Sequence, residues 1–213
     1  MVSTTANFLS NFLSGMTSAS KVSVSAMRRL IEHANPLITP LFDPEPPLSL
    51  PAALSLSDIR IFDANFAPTD GYCLLLITEG RGFLEFTKNT AQNITKDDTD
   101  HNNFDHYSLK KYSLFFFPLS KRWRLYLENA PWKFYLFFLS GSSISYYNKL
   151  FSDSAKEPFV ISGSSMLPVQ LSHLYDALSD CKNDPLWLDE QLTSLLCLTI
   201  KEARCHAQSS SHI

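Results

Sequence analysis

The stretch Gly71-Tyr72-Cys73-Leu74-Leu75-Leu76-Ile77-Thr78-Glu79-Gly80-Arg81-Gly82 decides the fold class. Its apolar run from Tyr72 is short and bounded by glycines, which reads as a buried strand over Tyr72–Thr78. Gly80-Arg81-Gly82 predicts a tight turn, because glycine adopts turn backbone without a steric penalty. Phe83–Phe86 then returns as the second arm of a hairpin. Working outward, Ile59–Phe62, Leu114–Phe117, Trp123–Leu127 and Phe134–Leu139 share the same aromatic and branched texture and are read as further strands. A polar loop from Thr87 to Tyr107 divides them into two groups. Short strands at this spacing imply an antiparallel barrel or sandwich.

The flanks differ in texture. Residues 1–35 are rich in Ser and Thr. Residues 36–55 carry six of the twelve prolines, which excludes a regular helix or a central strand and predicts an extended arm. After Gly141 the pattern turns helical. Leu167–Leu178 reads as a short helix, and Asp184-Pro185 supplies an N-cap followed by proline at the first helical position. From there Leu188, Leu192, Leu195, Leu196 and Thr199 recur at three- and four-residue spacing in a helix ending near Ala207. Such a stripe serves equally to pack back on the strands or to meet a partner.

The chain has 213 residues, 45% of them hydrophobic and 18% charged, and a net charge of −3. That is enough for one sizeable core and is unlike a disordered chain. A slightly acidic balance argues against the whole chain gripping nucleic acid, which needs surplus Lys and Arg. No apolar run approaches the roughly 18 residues of a membrane span, and the first basic residue, Lys21, leaves no secretory signal pattern. A cytoplasmic location is expected. Cys73, Cys181, Cys197 and Cys205 include no Cys-x-x-Cys pair and read as reduced thiols. With no secretion signal, the acceptor pattern Asn93-Ile94-Thr95 has no glycosylation meaning.

Reactive constellations are scarce. Asp98-Thr99-Asp100-His101-Asn102 opens like a calcium loop, but its sixth position is Asn103 where glycine is needed, and its twelfth is Leu109 where a bidentate Glu should close the sphere. With Asp97, Asp105 and His106 it reads as a solvated loop. Ser140-Gly141-Ser142-Ser143 and Gly163-Ser164-Ser165 lack the Gly-x-Ser-x-Gly elbow. No glycine-rich phosphate loop is present, and Cys205-His206 alone does not make a zinc site. No catalytic residue, metal or cofactor is therefore expected, and the chain is read as not an enzyme. Residues 110–133 hold six basic residues (Lys110, Lys111, Lys121, Arg122, Arg124 and Lys133) against Glu128, interleaved with Trp123, Tyr126 and Trp132. This segment suits a nucleic-acid surface, a pocket for an anionic or polyhydroxylated ligand, or a solvated strand face. From Ser165 onward three basic residues face six acids, which disfavours DNA there.

Taken together with Tyr107-Ser108-Leu109-Lys110-Lys111-Tyr112-Ser113-Leu114-Phe115-Phe116-Phe117-Pro118 and Pro131-Trp132-Lys133-Phe134-Tyr135-Leu136-Phe137-Phe138-Leu139-Ser140-Gly141, the Gly71–Gly82 stretch resembles the N-terminal sensor domain of bacterial AraC-family transcriptional regulators. The resemblance covers roughly residues 57–205. It implies a mainly β fold, a cupin-like antiparallel β-barrel followed by an antiparallel helix pair. The implied organisation is an N-terminal extension and Pro-rich arm over 1–56, a ligand-binding barrel over 57–141 and a helical dimerisation region over 142–207. The implied function is binding of a small-molecule effector (a sugar, sugar acid or other polar metabolite) that controls DNA binding by a helix-turn-helix domain absent from this chain. The family's contact positions fall on Asn65, Arg122, Arg124, Phe134 and Leu136, and Tyr126 shares the alternating face of the two arginines. An inward orientation of those arginines, the one favoured, suits a carboxylate, a phosphate or a sugar acid. An outward one leaves a pocket lined by Trp123 and Leu125 that prefers an apolar ligand. The dimer interface falls on Leu188, Leu192, Leu195, Leu196 and Thr199. The chain departs from the family in having Tyr112-Ser113 where Gly-Asp is usual, and Arg122 where His is common. The alternative is a free-standing cupin-fold enzyme acting on a small metabolite.

Overall fold

A computed structural model describes residues 47–59, 62–88, 104–180 and 185–210. Among the described residues there are seven strands: β1 (Ser49–Ile59), β2 (Asp63–Phe66), β3 (Tyr72–Thr87), β4 (Phe104–Leu109), β5 (Ser113–Pro118), β6 (Trp123–Ser140) and β7 (Phe159–Val160). Three helices complete the described chain: α1 (Ile144–Ser152), α2 (Leu167–Asp180) and α3 (Pro185–Ser210). Every strand pairing is antiparallel, in the order β1-β6-β3-β5-β7, with β2 also on β6 and β4 also on β3. The mainly β architecture with C-terminal helices agrees with the sequence reading. Closure into a barrel does not, because the hydrogen-bonded path ends at β1 and β7.

The glycine-bounded hairpin is corrected too. Gly80-Arg81-Gly82 does not reverse the chain, and β3 runs unbroken for 16 residues. Its pairing with β6 slips between Ile77 and Gly82, the mark of β-bulges that bend a strand. Phe117 pairs opposite Cys73, yet its ring lies 5.0 Å from that of Phe86, thirteen residues further along β3. A straight strand would hold those positions roughly 40 Å apart. The sheet is therefore folded over at the bulges, and Phe66, Phe86, Phe115, Phe117 and Trp123 interlock between its halves. Trp123–Leu127 and Phe134–Leu139, read as two strands, are likewise the ends of one, β6. Pro51 falls in β1, at the end of the path, where a missing N–H costs no ladder bond.

The helices cover the other face of one half. Phe151 of α1 packs edge-on against Phe116, and Tyr175 of α2 against Tyr135. The expected pair α2 and α3 is antiparallel: Ser165 Oγ donates to Glu202 Oε1 at 2.5 Å just before α2, and Gln170 Nε2 to Ser194 Oγ at 2.9 Å. The leucine stripe is spent inside the chain. Leu192, Leu195, Leu196 and Thr199 are 0% exposed and Leu188 9%, with α3 lying against α1, α2 and β1. Their expected place in a dimer interface is thereby corrected, since burial in the chain's own core leaves a partner nothing to touch.

Tyr112-Ser113 shows how the departing turn is built. Tyr112 takes a positive φ of 69°, a strained backbone for a bulky residue. It is held there by donation of its N–H to the Ile77 carbonyl at 2.7 Å, while buried Ser113 accepts the Lys110 N–H on its hydroxyl at 2.9 Å.

Candidate functional site

Strand alternation sorts the residues of β2, β6, β3 and β4 onto two faces. Ala64, Phe66, Trp123, Leu125, Leu84 and Phe86 are buried. On the opposite face the register lines up Asn65, Arg124, Glu85 and His106 across all four strands, and Asp63, Tyr126, Phe83 and Ser108 in the next row. A polar face thus backs directly onto the aromatic core.

Arg124 is the centre of this face. Its Nε and Nη2 donate to the two carboxylate oxygens of Asp63 at 2.8 and 2.7 Å, a two-point fork. Its Nη1 lies 3.6 Å from Glu85 Oε2, and the guanidinium sits 4.5 Å over the Tyr126 ring. Glu85 is the second hub. Its Oε1 accepts from the Tyr126 hydroxyl at 3.0 Å and meets His106 Nδ1 at 2.9 Å. Phe83 stands between His106 and Tyr126, with ring centroids 4.8 and 5.3 Å away. The Asp63 hydrogen bond holds Arg124 more firmly protonated than usual. Burial, reinforced by the bond to Glu85, pushes the Tyr126 hydroxyl up to about 12. Two carboxylates therefore surround one guanidinium whose fork is already filled.

The residues expected at the site divide into three places. Asn65, Arg124 and Tyr126 come together on the polar face, turned away from the core. Phe134 and Leu136 are fully buried within the folded sheet, on the side that Leu75, Ile77 and Phe117 share. Arg122 is exposed just before β6, where its carbonyl accepts from the Thr87 N–H at 3.0 Å. Sequence reasoning missed Asp63, Phe83 and Glu85, and placed His106 in a solvated loop. Their signal was present in the alternation of β2 and β3 against buried neighbours, but the partner strand that completes each pair is set by register.

Of the acidic cluster, Asp105 and His106 fall on β4, and Asp97, Asp98, Asp100 and His101 lie outside the described residues. Among the described residues no group of three or more His, Cys, Asp and Glu is placed to hold a metal ion. No helix among them is long and apolar enough to cross a membrane. Cys73 is fully buried, and burial raises its thiol well above the usual range.

No family model and no curated protein matches the chain. Solved structures to which it is similar include the AraC-like transcriptional activator CuxR, at 13% identity and a TM-score of 0.45, covering 74% of this chain and 52% of that one. This chain thus spans about half the length of that regulator. Hydroquinone 1,2-dioxygenase PnpCD is similar at 12% identity and a TM-score of 0.31, covering 42% of this chain and 58% of that one. An oxalate decarboxylase follows at 10% identity and 0.27, covering 42% and 25%. The expectation that the chain is not an enzyme is corrected here: a dioxygenase and a decarboxylase stand beside a regulator among the similar structures.

Proposed function

We propose that this chain is the small-molecule-sensing module of an AraC-like transcriptional regulator, acting on DNA through a domain outside this sequence. The observation that carries the reading is the row Asn65–Arg124–Glu85–His106, a set of fixed donors and acceptors beside the rings of Phe83 and Tyr126. Rigid polar groups next to aromatic faces suit a polyhydroxylated ring, whose hydroxyls pair with the carboxylates while its C–H face stacks. Between the two ligand classes expected from sequence, the geometry favours the neutral sugar over the anion. An anion would have to displace Asp63 from Arg124 and face Glu85 as well. Pairing of two copies through the helices, as the resemblance implies, would use outward residues such as Val169 of α2 and Met166 just before it, both exposed. An effector shifts such a regulator only by its differential affinity for the two states.

The test is a thermal-shift panel of neutral monosaccharides and their uronic acids, read on the wild type and on Asn65→Ala and Phe83→Leu. The expected result is a rise in melting temperature with a neutral sugar that both variants abolish while their unliganded melts stay close to wild type. A rise that survives both substitutions would remove the polar face as the effector site.

A further inference from the structure

Trp132 is completely buried, and its indole Nε1–H, which can only donate, has no hydrogen-bond partner among the described residues. Buried donors are almost always paired, so an orphan in the middle of a well-packed fold calls for an explanation. The ring lies on the inner side of the folded sheet, with Phe134 at 4.6 Å and Phe62 at 5.9 Å between centroids.

The chain has made room for this indole. A Cβ on Gly80 would lie 2.6 Å from Trp132 Cδ1, and one on Gly82 would lie 2.7 Å from Cζ2. Two side chains are thus given up to seat a ring whose polar atom then goes unused. Phenylalanine would fill an apolar niche without stranding a donor. Among the described residues, the neighbours Phe62, Phe134, Gly80 and Gly82 that lie against the ring carry no charge, so they offer an ionised group nothing to offset its desolvation.

We propose that Trp132 Nε1 is the recognition donor of an interior site, separate from the polar face, for an uncharged and mainly apolar molecule bearing one hydrogen-bond acceptor such as a carbonyl oxygen. The acceptor satisfies the indole, and the apolar body packs against Phe62 and Phe134.

Cyclohexanone serves as the probe and cyclohexanecarboxylate as its charged comparator. The 15N-labelled full chain gives three indole resonances, from Trp123, Trp132 and Trp187. That of Trp132 is assigned with Trp132→Phe or, should this variant not fold, by sequential backbone assignment. The expected result is a saturable downfield shift of the Trp132 indole proton with cyclohexanone, none with the carboxylate, and no movement of the other two. Absence of a saturable shift overturns the proposal. So does a long-lived contact between that proton and water, which would make a buried water its partner. Sugar-induced stabilisation through the polar face is read independently, so either site can fail without the other.

Discussion

Arg124 closes both ends of its guanidinium fork on Asp63, at 2.8 and 2.7 Å, and so ties the four-residue strand β2 to β6. β2 is also attached by its ladder to β6 and by the flat stack of Phe66 on Trp123, with centroids 3.7 Å apart. The pair is 38% and 35% exposed, so water screens it and its worth is that of a well-oriented surface bridge.

A double-mutant cycle of Arg124→Ala and Asp63→Asn is therefore expected to give a coupling energy of about 1 kcal/mol in urea unfolding. Arg124→Ala alone costs more than the coupling, because Glu85 also loses its nearest cation. A coupling indistinguishable from zero would show the fork to be idle.

Leu195→Glu is expected to unfold the chain rather than convert a dimer to a folded monomer. Leu195 is 0% exposed, and an unpaired carboxylate there costs several kcal/mol. Circular dichroism and light scattering on the same sample check this. A folded, soluble monomer derived from a wild-type dimer would return the stripe to an interface.

Gly82→Ala places a methyl group 2.5 Å from the Tyr126 carbonyl oxygen and 2.7 Å from the Trp132 ring. Backbone and a locked indole cannot both yield, so a loss of about 1–3 kcal/mol is expected. Gly163→Ala is the control, since its nearest neighbour, Tyr112 Cε2, is 3.7 Å away and the substitution should change stability little. Equal effects at the two glycines would contradict the packing described.

Tyr126 supplies a pH dependence of defined sign. Its folded pKa, about 12, lies above the ordinary tyrosine value near 10, so the neutral hydroxyl is favoured by folding. The stability it contributes is complete below about pH 10 and is lost as pH rises towards 12. The difference in tyrosinate absorbance between wild type and Tyr126→Phe should titrate near the upper value. A difference curve centred near 10 would mean that neither the burial of the hydroxyl nor its bond to Glu85 holds.

Strands and helices were legible in part, where local pattern governs them, while most of β1 was read as a proline-rich arm and β2, β4 and β7 were not read as strands. The apolar run Tyr72–Ile77 is β3, and the leucine spacing after Pro185 is α3. The candidate site was legible in part: Arg124, Tyr126 and Asn65 were singled out, while their partners Asp63 and Glu85 were not and His106 was read as part of a solvated loop. Ion pairs across strands depend on register, and no local signal in β2 or β3 announces that Asp63 and Glu85 will both flank Arg124.

By itself the sequence determined a mainly β chain with trailing helices, one core and no membrane-length helix. Tertiary structure alone decided that Gly80 and Gly82 bend a strand around Trp132 instead of reversing it, because a glycine permits a turn and a close approach equally. It also decided that the arginine face points away from the core and that the leucine stripe is spent within it. An alternating strand and an amphipathic helix each specify two faces; which of them is buried depends on what the rest of the chain brings against it.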